Sequence, residues 1–368
     1  MSDINKTCII DGKEYLLSDV EAMGFDGFSV SAHVSPYRSL FKYYPNTKKY
    51  VSSEKKYHNY SFEALQNGTV FLQDAKNFDD CFDCAVDLSW DKFLENRLSN
   101  YCNYFDVDVP SSKEITDIIY SLSVKLYEYG MLDGALEAIH LTDPIQKGYA
   151  ELFLHRVFAD LTSENKQWNE AIENAIRKEY DDFIQCLSKF KISCFSTSPY
   201  LNRMWSSAYG NNNQGFCIEY EIDVTTEEGR NLYNNISPVI YSQHRNDLLQ
   251  LSEHCDLSPT KEDLWQMFFN GLLRKSLHWQ DQQEWRLILA DGFIDKNPKP
   301  FFKIKRIYLG NKMPHKERIK IVNYCRKHTI TYVGLVRDKD SFNLIECEGD
   351  CYLCQRRRTE KSLKEKSK

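Results

Sequence analysis

The chain has 368 residues, 42% of them hydrophobic and 27% charged, with a formal net charge of −6. That composition belongs to a folded globular protein and excludes disordered and fibrous classes, while the acidic balance excludes wholesale coating of nucleic acid by a basic surface. No run approaches the roughly 18 apolar residues of a membrane span, Met1 to Tyr15 is polar, and the twelve cysteines are spread through a long chain. The expectation is a cytoplasmic protein with reduced thiols and no membrane partner.

Residues 1–40 mix short apolar runs with turn signals and read as an N-terminal extension. Leu40-Phe41-Lys42-Tyr43-Tyr44-Pro45 then has the aromatic density of a strand. A short helix near Tyr60 to Gln66 stops at Asn67-Gly68, where glycine takes the left-handed conformation that ends helices, and Thr69-Val70-Phe71-Leu72 reads as the next strand. Ser111-x-x-Glu114 is a capping-box signature before Ile115, Ile118, Ile119 and Leu122, and further helices are expected over Gln146 to Leu161 and Asn169 to Phe190. Residues 91–190 are therefore a helical insertion.

Strands resume at Ile192 to Phe195, Gly215 to Ile222 and Pro238 to Tyr241. Thr260-x-x-Asp263 opens a helix expected to run to about Trp279. The last strands are Trp285 to Ala290, Ile304 to Leu309, Thr331 to Leu335 and Phe342 to Glu346, with a helix from Lys316 to His328. The class is α+β, with a core formed by residues 41–90 and 191–346. Residues 347–368 form a basic, cysteine-containing tail.

Four constellations carry chemistry. Asp79, Asp80 and Asp83 stand between Phe78 and Cys84, where carboxylates at short spacing either hold a hard cation or cap a tight turn. Cys81/Cys84 and Cys351/Cys354, with Cys347 upstream, have zinc-knuckle spacing, but lack the glycine and basic flanks of a zinc ribbon; inert thiols are the other reading. Phe195-Ser196, Trp205 and Tyr209 place hydroxyls beside aromatic faces, which suits a flat ring and a ribose; the competing reading puts Met204, Trp205 and Tyr209 on one core-facing helix side. Gln282-x-Glu284 precedes an apolar strand, so an extended segment puts both side chains on one side. Its carboxylate either holds a sugar hydroxyl or pairs with Arg286 at a strand edge.

Taken together, these segments resemble a bacterial family known as domain of unknown function 2971. The matching residues are Phe41-Lys42-Tyr43, Asn67-Gly68 with Phe71, Phe78 to Phe82, Cys194-Phe195-Ser196, Met204-Trp205 with Tyr209, Gly215 to Ile218, Lys275-Ser276, Trp279, Glu284-Trp285-Arg286 and Ile307 to Gly310. Asp79-Asp80-Cys81-Phe82 departs from the family's Asn-Asp-Pro-Phe, and Tyr44 stands where an arginine often follows.

In the order of these residues the chain is also similar to the ADP-ribosyltransferase superfamily, whose members bind NAD in a split sheet. That resemblance implies a split mixed or antiparallel sheet and NAD as substrate. It makes Glu284 and Gln282 the catalytic pair, and gives NAD-binding roles to Lys42, Tyr43, Ser196, Trp205, Tyr209 and Arg286. Lys42 or Tyr43 then serves where the superfamily has His or Arg. The implied activity is ADP-ribosyl transfer to a protein or nucleic acid, or simple NAD hydrolysis, in a stress or phage-defence setting. Two other classes stand beside it. One is a metal-dependent nuclease using Asp79, Asp80, Asp83 and Glu284 with Lys275 or Arg286; the other is a nucleotide-binding sensor without turnover.

Overall fold

The computed structural model describes residues 6–24, 26–28, 39–78, 83–84, 89–110, 114–130, 141–142, 144–163, 167–244, 265 and 267–347. The chain divides into two compact units. One is formed by Met1–Ala85, Lys189–Arg245 and Leu264–Lys368, the other by Val86–Ser188 and Asn246–Asp263.

The first unit begins with β1 (Thr7–Ile10), β2 (Lys13–Leu16) and α1 (Leu17–Ala22), followed by β3 (Leu40–Tyr44), β4 (Lys49–Val51) and β5 (Lys56–His58). Helix α2 (Tyr60–Asn67) comes next. Its first turn is fixed by the Asn59 side chain, which accepts from the Phe62 amide at 2.9 Å, and it ends at Gly68 with φ 63°, the left-handed cap expected from Asn67-Gly68. The strand beyond it is shorter than its sequence suggests: β6 covers Thr69–Val70 alone and β7 is Gln73–Asp74.

The second unit is helical among its described residues: α3 (Trp90–Tyr104), α4 (Ile115–Gly130), α5 (Pro144–Ser163) and α6 (Trp168–Ser188). Phe93, Leu94, Leu98, Tyr101 and Cys102 make a buried stripe on α3 at helical spacing, and Tyr101 stacks on Phe153 of α5 with ring centroids 3.8 Å apart. Within this stripe Tyr101 donates its hydroxyl to Glu179 of α6, and Arg97 reaches the same carboxylate at 3.3 Å. Ser111, the expected cap of α4, lies outside the described residues.

The chain returns to the first unit with β8 (Phe190–Ser196), α7 (Asn202–Ser206), β9 (Phe216–Glu221), α8 (Glu227–Asn234), β10 (Ile236–Pro238) and β11 (Ile240–Ser242). Thr260 and Asp263 lie outside the described residues, and the helix expected from them does not reach Trp279. A π-helical turn over Met267–Leu272 gives way to β12 (Arg274–Ser276), and a 3-10 turn over Leu277–Gln282 leads into β13 (Glu284–Ala290). The extended backbone of Arg274–Ser276 pairs in parallel with β11, and this pairing replaces the helix. The unit closes with β14 (Lys299–Pro300), β15 (Lys303–Leu309), α9 (His315–Lys327), β16 (Thr331–Arg337) and β17 (Leu344–Glu346).

These strands form a large mixed sheet in the order β10-β13-β8-β3-β9-β15-β16-β17, with β7 also paired to β8, and a four-stranded sheet β12-β11-β1-β2. Residues 7–16 are thus built into a sheet with β11 rather than standing outside it as an extension. In the large sheet β15 and β16 run parallel, whereas β13, β8, β3 and β9 are antiparallel neighbours. This is an α+β protein with mixed sheets.

Two features of the large sheet position the site. On β13 alternation divides the strand: Trp285, Leu287 and Leu289 enter the main hydrophobic core, and Glu284 and Arg286 point to the other face. Between β3 and β8 the sheet splays. β3 follows β9 through five register pairs, from Leu40↔Tyr220 to Tyr44↔Phe216, but meets β8 at Phe41↔Ser196 alone.

Candidate functional site

A cavity of about 440 Å³ opens at this splay, within the size range of small-molecule sites. β3 supplies one bank through Phe41, Lys42, Tyr43 and Tyr44. β8 supplies the other through Ile192 to Ser196, with Lys275, Gln282 and Glu284 behind it and Phe78, Met204 and Tyr209 completing the wall.

Lys42 reaches across the split. Its ammonium donates to Ser193 Oγ at 3.0 Å and to the Cys194 carbonyl at 2.9 Å, and lies 5.0 Å from the centroid of the Phe195 ring. Burial pushes the Lys42 pKa below its ordinary value, against the opposing influence of Cys194 and Glu284. Tyr43 is more constrained: its hydroxyl donates to the Ser198 carbonyl at 2.9 Å and accepts from the Leu201 amide at 3.3 Å.

Behind the far bank lies a closed ring of four buried charges. Lys275 Nζ meets Glu284 Oε2 at 2.6 Å and Asp83 Oδ2 at 2.8 Å; Arg286 Nε meets Glu284 Oε1 at 2.7 Å and its Nη2 meets Asp83 Oδ1 at 2.5 Å. Two cations and two anions leave the ring neutral, the condition under which such charges survive burial. Gln282 Oε1 accepts from Lys275 at 2.9 Å, the Leu272 carbonyl accepts from Arg286, and the Glu284 amide donates to the Tyr241 hydroxyl at 2.8 Å. Because Lys275 belongs to the four-stranded sheet and Glu284 and Arg286 to the large one, the ring ties the two sheets together.

Burial alone would raise the Glu284 pKa, but Arg286 and Lys275 hold it down at about 2. Burial likewise works against the Lys275 ammonium, and Glu284 and Asp83 overcome it, so its pKa is raised. Glu284 therefore faces the cavity as a carboxylate at any physiological pH, with both oxygens already engaged. Burial pushes the Cys84 thiol up to about 12, and the Arg286 guanidinium reaches its sulfur at 3.0 Å.

Of the residues singled out from sequence, Lys42, Tyr43, Ser196, Tyr209, Gln282 and Glu284 line this one cavity. Trp205 and Arg286 do not. Trp205 is fully buried, donates Nε1–H to the Pro199 carbonyl at 2.7 Å and meets Tyr43 edge-on at 5.2 Å, so it props Tyr43 and offers no face for stacking a ligand. Arg286 is also fully buried and spends its guanidinium on the ring. The Glu284–Arg286 pair considered as a strand-edge contact lies instead in an interior strand between β10 and β8. Gln282 and Glu284 share a side, but not through an extended backbone: Gln283 between them has φ 45°, and Lys275 gathers both side chains.

Asp79, Asp80, Cys81, Cys351 and Cys354 lie outside the described residues. Asp83 is consumed by two cations, and among the described residues no cluster of His, Cys, Asp and Glu has the arrangement of a metal site. The importance of Lys275 as the partner of Glu284 was not visible in sequence. The available signal was Arg286 itself, since a guanidinium inside Trp285-Arg286-Leu287-Ile288-Leu289 requires buried acids nearby.

The architecture defines an α+β protein with a small-molecule-sized cavity at the split of a mixed sheet. The family described as "Protein of unknown function (DUF2971)" matches residues 204–287. That segment carries Met204, Tyr209, Lys275, Gln282 and Glu284 of the wall and Arg286 behind it, which supports the resemblance to this family. No curated protein and no solved structure matches the chain. No helix among the described residues is long and apolar enough to cross a membrane.

Proposed function

We propose that the cavity binds NAD or a related nucleotide and that the protein cleaves the bond between ribose and nicotinamide, either as an ADP-ribosyltransferase or as an NAD glycohydrolase. One observation carries this reading: the cavity occupies a split in the sheet, with Glu284 and Ser196 on one bank and Lys42 and Tyr43 on the other. The ADP-ribosyltransferase superfamily uses residues in this same chain order around a split sheet. The charged lining consists of Lys42, Lys275 and Glu284, an excess of one cation that favours an anionic ligand. The aromatic wall suits a flat ring.

In this reading Ser196 and Gln282 hold hydroxyl or amide groups of the ligand, and Tyr209 covers the ring. Glu284 supports positive charge developing at the anomeric carbon as nicotinamide departs with the bonding electrons. Water as acceptor yields ADP-ribose, nicotinamide and a proton; a protein or nucleic-acid nucleophile yields the ADP-ribosylated acceptor instead.

A second reading has its own support. Glu284 already has cations at 2.6 and 2.7 Å, which weakens any field it applies to a developing cation and suits a pocket that senses a nucleotide without turning it over. The test is nicotinamide release from NAD by the purified protein, beside Ser196→Ala and Tyr209→Ala variants whose folding is checked by circular dichroism. Release that falls in these variants supports cleavage. Binding by calorimetry without release supports the sensor, and neither binding nor release overturns both.

A further inference from the structure

We propose that the β4–β5 hairpin is a docking site for single-stranded nucleic acid, with unstacked bases on Tyr50 and Tyr57 and phosphates met by the surrounding lysines. This inference does not rest on the activity of the cavity. Tyr50 and Tyr57 lie directly opposite each other across the hairpin, with ring centroids 5.1 Å apart, and are 51% and 67% exposed. Cross-strand aromatic pairs stabilise a ribbon, but rings left this open keep faces available to a flat partner.

Charge points the same way. Between residues 48 and 58 the chain carries Lys48, Lys49, Lys55 and Lys56 against Glu54 alone, a local excess of three positive charges on a chain whose formal charge is −6. All four lysines are exposed. Lys48 lies 3.6 Å from Glu317, a loose surface pair. Alternation puts the rings of Tyr50 and Tyr57 on one face of the ribbon and Lys49 and Lys56 on the other, so bases stacked on the rings leave the backbone to pass the ribbon's edges, where cations neutralise it.

The hairpin is held as a built element. Asn59 Nδ2 donates to Asn46 Oδ1 at 2.8 Å across its base, the Asn46 amide donates to Ser61 Oγ at 3.2 Å, and His58 bridges Glu54 and Glu63 at 2.8 and 3.1 Å. Its root is close to the cavity, because Pro45 lines the wall and Lys49 follows four residues later, about 14 Å of extended chain at most. A membrane fits the hairpin less well: its tip is Ser52-Ser53-Glu54-Lys55, polar and partly acidic, and the tyrosines stand along the ribbon rather than at the tip.

The experiment uses the full-length protein with a fluorescent oligothymidine, an oligouridine and a duplex of the same length, followed by anisotropy over a range of salt. The expected result is binding of single strands in preference to duplex. Stacking losses predict roughly tenfold weakening or more for Tyr50→Ala with Tyr57→Ala. Lys49→Ala with Lys56→Ala is expected to flatten the salt dependence by roughly 0.7 in log–log slope for each phosphate that the lysines no longer neutralise. Phe342→Ala, at a fully exposed ring elsewhere, leaves binding unchanged. No binding, tighter binding to duplex, or single-strand binding indifferent to all four hairpin substitutions overturns the proposal. So does hairpin-dependent sedimentation with phosphatidylserine vesicles in a protein that ignores oligonucleotides.

Discussion

Glu284→Gln removes one negative charge from the buried ring while keeping the shape of the side chain. Lys275 and Arg286 then share Asp83 alone, leaving an unbalanced positive charge among side chains of which Arg286 is wholly and Lys275 almost wholly shielded from water. Breaking a buried ion pair from one side costs about 3–5 kcal/mol. Titration points in the same direction: Arg286 and Lys275 hold the Glu284 pKa at about 2 against an ordinary 4.5, so the folded state favours the carboxylate. The loss is a large share of a typical folding free energy of about 5–15 kcal/mol.

The sign of the pH dependence follows. The folded-state pKa is depressed, so the contribution of Glu284 is complete above about pH 4.5 and disappears as pH falls towards about 2. Urea denaturation of wild type and Glu284→Gln should therefore differ by about 3–5 kcal/mol at neutral pH, with the difference closing in acid. Adding Lys275→Met to Glu284→Gln leaves Asp83 and Arg286 as a neutral pair, so the double variant should recover about 1–2 kcal/mol relative to Glu284→Gln alone. A single variant as stable as wild type, or a double variant that loses the sum of both single effects, would refute the reasoning.

Three further outcomes are expected. Lys42, with its pKa lowered by burial, carries more neutral amine at about pH 8 than an exposed lysine and should be acylated early by a small reagent; peptide mass spectrometry with and without NAD tests both this reactivity and the proposed occupancy of the cavity. Gly215→Ala would place a Cβ 2.2 Å from the Tyr44 carbonyl oxygen, so β9 and β3 must move apart; a loss of roughly 2–4 kcal/mol should appear as a lower melting temperature, and an unchanged one would contradict the close approach. Trp205→Phe deletes the donor to the Pro199 carbonyl and should cost about 1–3 kcal/mol in urea denaturation, without removing any group from the cavity wall.

What the sequence could disclose was local. The end of α2 at Gly68, the start of β15 and the helix after Pro314 all follow from propensities and caps within a few residues. Residues 267–276 misled for a physical reason: Trp265, Phe269, Leu272 and Leu273 are buried at helix-like spacing, but the backbone beyond them takes a partner in β11, about thirty residues upstream, and becomes a strand. Asp83 shows the same limit more sharply. Beside Asp79 and Asp80 it reads as a metal ligand or a turn former, whereas its partner Arg286 lies 203 residues later, a pairing that no local pattern encodes.

Glu284 belongs to the cavity wall and to the ring at once, and this double membership decides how any functional result at that position must be read. Substituting a carboxylate whose loss leaves two buried cations sharing one acid can lower activity through folding even where it has no part in chemistry. Ser196 and Tyr209 line the same cavity from outside the ring, so their removal alters what a ligand meets without unbalancing buried charge. If turnover falls in these two variants and also in a Glu284→Gln, Lys275→Met protein that remains folded, the Glu284 carboxylate or the Lys275 ammonium beside it on the wall acts on substrate. If turnover survives in the charge-balanced double variant, Glu284 holds the two sheets in register and the chemistry belongs to other groups on the wall.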